Sequence, residues 1–272
     1  MKKIINFIAE SPVTQIVITI AVYSIYASVM GISLVPSAFL VLFGVKQFLL
    51  QTITTQDVIL FCIIVGLSVY LYFITGVIIM GITIRILSLG MKPGKYPQAS
   101  FAMLRWLIYS GIYHIAGSTI LNFIPMTFFT NLFFRLMGAK IGKNVYINTW
   151  FLNDAYLMEL DDNVVIGGKS DVSCHTFEDN CLVLSPIKIG EGTLVGTRCY
   201  ISPGVTIGKK CMIGMYSFIR KNSVIPDKTF ISSLAGMNVR DVAVLENIRS
   251  RLDKLAHKKG ETDKTSQEKT DE

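Results

Sequence analysis

Charge is what this sequence has least of. Only 17 % of its 272 residues are Asp, Glu, Lys or Arg, against roughly 25 % in a soluble domain. Ser11–Val45 contains none in 35 positions, and Val58–Ile84 none in 27. About 20 predominantly apolar residues suffice to cross a bilayer, so both stretches are long enough to span. With 51 % hydrophobic residues and a mean hydropathy of +0.50, intrinsic disorder and a wholly soluble enzyme are both excluded. Histidine is scarce, at three residues, and the five cysteines form no C-x-x-C pair. Neither a zinc site nor a disulfide framework is therefore expected.

The basic excess is confined to the apolar part. Residues 1–150 carry ten Lys/Arg against two acids, whereas 151–250 carry ten against eleven and 251–272 six against six. Bases flanking hydrophobic segments suit anionic lipid headgroups better than nucleic acid, and no RNA- or DNA-binding signature accompanies them. Lys2 and Lys3 precede an apolar run that is interrupted at Glu10 and continues too far for a secretory leader, which predicts an uncleaved anchor. The first span is expected within Val13–Leu34, ended or kinked by Pro36. The residues to Leu50 either prolong it or lie in the interface. The second span is Val58–Ile84. Lys2 and Lys3 lie before the pair and Arg85, Lys92 and Lys95 after it, so residues 1–100 read as a membrane hairpin with both ends cytoplasmic. In 101–138 the apolar segment Trp106–Phe134 has bases at both ends (Arg105; Arg135, Lys140, Lys143), which predicts an interfacial segment. Trp106, Tyr109 and Tyr113 would then sit at headgroup depth, and His114 would pack there or touch a headgroup. A third span is the alternative.

The second half follows a six-residue repeat. From residue 189 an aliphatic recurs without a miss: Ile189, Val195, Ile201, Ile207, Ile213, Ile219, Ile225, Ile231. Four positions after each comes a small residue, from Thr193 and Cys199 to Ala235. The same frame appears at Ile141 and Ile147, and at Leu160, Ile166 and Val172. The small residue and the next aliphatic are two apart, so in a strand both face one side, and Gly-rich residues between strands make tight turns. Short strands winding round a narrow apolar core make a parallel β-helix.

Repeats such as Ile189-Gly190-Glu191-Gly192-Thr193-Leu194 and Pro203-Gly204-Val205-Thr206-Ile207-Gly208 resemble the hexapeptide-repeat acyltransferases. The resemblance covers about 141–236. It implies a mainly β fold, a left-handed parallel β-helix with three hexapeptides per coil, trimeric as a rule and placed here at 139–237 after the helical membrane region. Gly117-Ser118-Thr119-Ile120-Leu121-Asn122 and the stretch Arg135–Gly142 look like the membrane-linked transferase-like domains that end some peptide synthetases, poly-lysine synthetases among them. A helix is expected at 238–257, capped by Asn238, and a disordered tail at 258–272. Where the family often closes its helix with Gly-Asn-Pro-Ala, this chain has Gly236-Met237-Asn238-Val239.

Of the three histidines, His175 alone lies in the repeat, where the frame breaks in Cys174-His175-Thr176-Phe177-Glu178-Asp179 and resumes at Ile189. Residues 178–188 are therefore expected to protrude as a loop, the kind of place where catalytic groups concentrate. The resemblance implies His175 as general base in a cleft between subunits, with Glu178 or Asp179 orienting its ring. It further implies an acyl thioester such as acetyl-CoA as co-substrate, with no permanently bound cofactor and no metal. Basic corner residues to hold the donor phosphates are Lys209, Lys210, Arg220, Lys221 and Lys228, with Lys210 and Lys228 one coil apart. Cys174 is unsuited as a nucleophile beside His175 because adjacent strand residues face opposite ways. These readings combine into a membrane-anchored homotrimeric acyltransferase, its catalytic part cytoplasmic and its acceptor a hydroxyl or amine near the membrane lipid. The competing reading is a non-catalytic trimeric scaffold that clusters membrane segments. A carbonic-anhydrase-like β-helix is excluded because it needs about three histidine ligands.

Overall fold

The structure, a computed structural model, describes residues 12–50 and 53–231. Lys2, Lys3, Gly236-Met237-Asn238-Val239, the expected helix at 238–257 and the tail at 258–272 lie outside the described residues.

Two helices, α1 (Pro12–Gly44) and α2 (Thr55–Ser88), are long and apolar enough to cross a membrane. α1 does not end at Pro36: it runs through the proline and continues into a π-turn, Val45–Leu49. A proline lacks the N–H that closes a helical turn. Beside it, Thr75 Oγ1 of α2 donates to the Ser33 carbonyl at 2.7 Å and ties the two helices together. α2 starts in a capping box: Asp57 N–H donates to Thr54 Oγ1, and Thr54 N–H donates to the Asp57 carboxylate at 2.9 Å.

α3 (Phe101–Thr119), capped by the Ser100 hydroxyl, and α4 (Phe128–Met137), ended by Gly138 at φ 105°, follow. Here the structure corrects the headgroup expectation. Trp106, Tyr109 and Tyr113 are buried at 6 %, 1 % and 1 % exposure within one core that runs from α2 into the β-structure. The polar ends of Trp106 and Tyr113 find protein partners rather than lipid. Trp106 Nε1–H donates to Asp154, and the Tyr113 hydroxyl donates to the Trp150 carbonyl while accepting from Leu152 N–H. Close approach of α3 requires Gly117, where a Cβ would fall 2.2 Å from Trp150 Cε3.

The remainder is a three-sided parallel β-helix. After β1 (Gly94–Pro97), the first coil holds β2 (Lys140–Ile141), β3 (Tyr146–Ile147) and β4 (Leu152–Asn153). The second holds β5 (Met158–Leu160), β6 (Val165–Ile166) and β7 (Asp171–Ser173). A hairpin of β8 (His175–Glu178) and β9 (Cys181–Leu184) intervenes. Then come β10 (Ile187–Ile189), β11 (Leu194–Val195), β12 (Tyr200–Ile201), β13 (Thr206–Ile207), β14 (Met212–Ile213), β15 (Phe218–Ile219), β16 (Val224–Ile225) and β17 (Phe230–Ile231). Side one stacks β2, β5, β10, β13 and β16; side two β3, β6, β11, β14 and β17; side three β4, β7, β12 and β15. The register carries Ile189 onto Ile207 and Ile207 onto Ile225, so the aliphatic column faces inward as the hexads require. Stacking is close: a Cβ on Gly190 would lie 2.7 Å from the Gly208 carbonyl carbon. The small column is buried too, and Thr193 Oγ1 bridges coils by donating to the Gly208 carbonyl and accepting from Cys211 N–H.

The expected loop at 178–188 is instead mostly strand. β8 and β9 pair antiparallel across Asp179-Asn180, both at positive φ (51° and 57°), and β1 adds a third strand to β9. Asp and Asn tolerate this left-handed geometry, which is what a two-residue hairpin turn demands.

The outward ladders differ sharply. On side one Glu159 lies 3.5 Å from Lys140 and 2.7 Å from Lys188. Lys188 holds the Glu159 carboxyl below its ordinary value, and the Lys188 ammonium is raised in turn. Side two presents Tyr146, Val165, Leu194, Met212 and Phe230, in register from the first coil to the last. Phe230 is 64 % exposed. Side three presents Asp171, Tyr200 and Phe218, the two rings stacked at 5.4 Å.

Candidate active site

His175 begins β8, where the chain leaves the edge between sides three and one. Its Nδ1 lies 2.5 Å from Asp154 Oδ2, and the other carboxylate oxygen accepts Trp106 Nε1–H at 2.8 Å. The Asp154 side chain is 1 % exposed, that of His175 22 %. A buried carboxylate is costly unless hydrogen-bonded, and both oxygens of this one are occupied. Trp106 meets the imidazole edge-on with ring centres 4.8 Å apart, and Phe177, itself 5.5 Å from Trp106, completes a triangle of rings at 6.1 Å. The ring is thus held in one orientation by α3, by the first coil and by the hairpin. Among the described residues Nδ1 makes all the side-chain hydrogen bonds of this imidazole, the Ser173 hydroxyl also lying 3.3 Å from it.

Asp154 is the residue that the sequence reading missed, and Glu178 is corrected. The Glu178 carboxylate accepts from Lys221 Nζ at 2.5 Å and does not touch the imidazole; Asp179 lies 4.0 Å from Lys95 at the hairpin tip. In β8, Glu178 is three residues from His175, on the opposite face of the strand. Asp154 sits at φ 60° before a single 3₁₀ turn, Ala155–Leu157. One signal pointed there: Ile147 to Leu160 is one residue longer than two hexads, and the register, five residues from Ile147 to Leu152 and eight from Leu152 to Leu160, puts the added length in the segment holding this turn.

The remaining titratable groups fall into place around this pair. Cys174 is fully buried and burial pushes its thiol up, so no thiolate is available there. Burial also raises the Asp171 carboxyl, which accepts from Asn153 Nδ2 at 3.0 Å. His114 stands edge-on to Trp150 with ring centres 5.8 Å apart; desolvation first, and the charge of His175 second, lower its basicity.

The five basic residues divide between two edges. Arg220 and Lys221 lie between β15 and β16, on the edge that bears His175. Lys209, Lys210 and Lys228 lie between sides one and two. Lys209 Nζ is 3.4 Å from Glu191 and borders a cavity of about 680 Å³ lined also by Glu159, Asp161 and Asp162. Lys210 and Lys228 take the same corner position in successive coils, at φ 53° and 57°. Among the described residues Lys210, Arg220 and Lys228 are outside the ion pairs that hold Lys209 and Lys221. No group of three or more potential metal ligands occurs among the described residues.

Hexads of this kind winding a three-sided parallel coil, with one edge interrupted by a hairpin, define a hexapeptide-repeat transferase fold, and such repeats imply a left-handed coil. Residues 186–221 match the family described as "Bacterial transferase hexapeptide (six repeats)". The chain is also similar to a "Delta-poly-L-ornithine synthetase" of Acinetobacter baumannii (strain AB307-0294), 27 % identical over 180 residues. That match covers 64 % of this chain and 13 % of the synthetase, so this chain corresponds to a small part of that protein. Among solved structures, serine acetyltransferase isoform 3 from Entamoeba histolytica, in complex with cysteine, aligns over 63 % of each chain. Its identity is 14 % and its TM-score 0.16, too low to carry an argument.

Proposed function

We propose that this protein is a membrane-anchored acyltransferase that moves an acyl group, acetyl in the simplest case, from a thioester such as acetyl-CoA to a hydroxyl or amine on a membrane-proximal acceptor. The observation that carries this reading is the Asp154–His175 pair at the interrupted edge of a hexapeptide coil. With Nδ1–H donating to Asp154, Nε2 is the basic nitrogen. It takes the acceptor proton as the oxygen or nitrogen attacks the thioester carbonyl. The C–S bond then breaks, and the imidazolium returns the proton to the departing thiolate. Asp154 holds the tautomer and offsets the transient positive charge.

The outward ladders support a homotrimer. If three copies bring the edge between sides two and three to the threefold axis over the later coils, beyond the α3–α4 link that lines it in the first two, apolar side two of each copy meets Tyr200 and Phe218 of the next. Charged side one then stays in water. Such a closed head-to-tail ring brings the edge with Lys210 and Lys228 of one copy beside the His175 edge of its neighbour. Donor phosphates would lie between these cations and Arg220. In this reading α1 and α2 anchor the assembly, and the bases following α2 support a β-helix on the cytoplasmic side.

Thermal unfolding of the purified full chain with acetyl-CoA, longer acyl-CoAs and carrier-protein thioesters tests donor recognition. A donor at a hundred times its Kd stabilises by about 2.7 kcal/mol, an upward Tm shift of about 5–10 °C. Lys210→Glu with Lys228→Glu removes the shift. No shift with any donor favours the scaffold reading.

A further inference from the structure

A second cavity, of about 580 Å³, opens on the edge between sides two and three. Its walls are Leu121, Asn122 and Pro125, from the link between α3 and α4, together with Asn148–Phe151, Gly168 and Lys169 of the first two coils. It is lined by one cation and no acid, whereas the cavity beside Lys209 mixes four acids with three bases. The Trp150 and Phe151 rings stack at 4.0 Å to form an aromatic wall. Thr149 is committed internally, its hydroxyl donating to the Ser170 carbonyl. The amides of Asn122 and Asn148 are exposed and make no side-chain hydrogen bond within the described residues that would keep them from a ligand.

The rim is continuous with the apolar helices. Phe123, next in the chain to Asn122, stacks on Phe73 of α2 with centroids 6.0 Å apart and planes 13° apart. Phe123, Met126 and Phe128 are 65 %, 52 % and 67 % exposed, an apolar patch that water alone would not favour. A ligand with its tail against this rim and its head in the cavity must be amphiphilic. The head must satisfy one ammonium and two amides beside an aromatic wall.

We infer that this cavity binds the headgroup of an acidic membrane lipid, its phosphate on Lys169 and its hydroxyls on Asn122 and Asn148. The inference rests on α1 and α2 lying in the bilayer, as proposed above. It is independent of acyl transfer.

Trp150 is one of only two tryptophans, so in a Trp106→Phe variant of the full chain it is the sole indole reporter. Reconstituted in phosphatidylcholine bilayers, this variant is titrated with phosphatidylglycerol or phosphatidylcholine brominated close to the glycerol, and quenching is read. One lysine–phosphate contact near the surface predicts about fivefold preference for phosphatidylglycerol. Lys169→Asn should bring that preference to about one; asparagine tolerates the left-handed backbone at position 169 (φ 56°). Equal quenching by the two lipids, or a preference unchanged in Lys169→Asn, overturns the inference. Alkaline carbonate extraction separates the two readings. A protein released from membranes refutes the spanning helices and the lipid site with them, whereas a retained protein without lipid preference refutes the site alone.

Discussion

Replacing His175 by alanine is expected to lower the acyl-transfer rate constant by about 10²- to 10⁴-fold, the usual contribution of a positioned general base. The loss falls on kcat, because in the proposed arrangement the donor is held by Lys210, Arg220 and Lys228 rather than by the imidazole. Steady-state kinetics at saturating thioester read the effect, and the donor-induced Tm shift should survive. The hairpin that carries His175 is held independently by β1 and by the Glu178–Lys221 ion pair, so the variant should fold. His175→Gln, which keeps more of the packing against Trp106, provides the control for a purely structural effect. A variant with undiminished kcat removes His175 from the chemistry.

Asp154→Asn is expected to cost about 10²-fold or more in kcat although it changes one atom. The carboxylate accepts from both Trp106 Nε1–H and His175 Nδ1–H, whereas an amide has one acceptor oxygen and a donor NH₂. If the oxygen stays with Trp106, the NH₂ faces Nδ1, which must then accept. The ring proton moves to Nε2, and the base is lost to the wrong tautomer. If the amide turns over, the Trp106 indole loses its acceptor, and an unsatisfied buried donor costs about 1–3 kcal/mol. Loss of the negative charge also removes support for the imidazolium formed as the base takes its proton. A structural role alone would lower Tm and leave kcat per folded molecule unchanged, which makes kcat normalised to folded protein the deciding readout.

Much of this architecture was legible in the residues because period-six stacking tolerates little variation. The aliphatic columns at Ile189, Val195 and Ile201 and the small residues between them have only one inward direction, and the register follows. Charge-free runs likewise located the two long helices. What was hidden depends on contacts between segments with no shared periodicity. Trp106 and Tyr113 have the composition of interfacial aromatics, and only their hydrogen bonds to Asp154, Trp150 and Leu152 show that they face protein. Proximity in sequence points to Glu178 as the partner of His175. Asp154, 21 residues away, reaches the ring because the first coil bulges by one residue. The break in the hexad frame was visible, whereas its filling by a hairpin followed from Asp179-Asn180 accepting positive φ.

The most direct test follows the acyl group itself. Membranes containing the full chain are incubated with acetyl-CoA labelled in its acetyl group, and the label is traced into the lipid-extractable fraction while free thiol is counted. The account predicts label entering a membrane component with one thiol released per group transferred, both abolished by His175→Ala. Label confined to the donor with this and every other thioester supplied, or transfer that persists undiminished in His175→Ala, would contradict it.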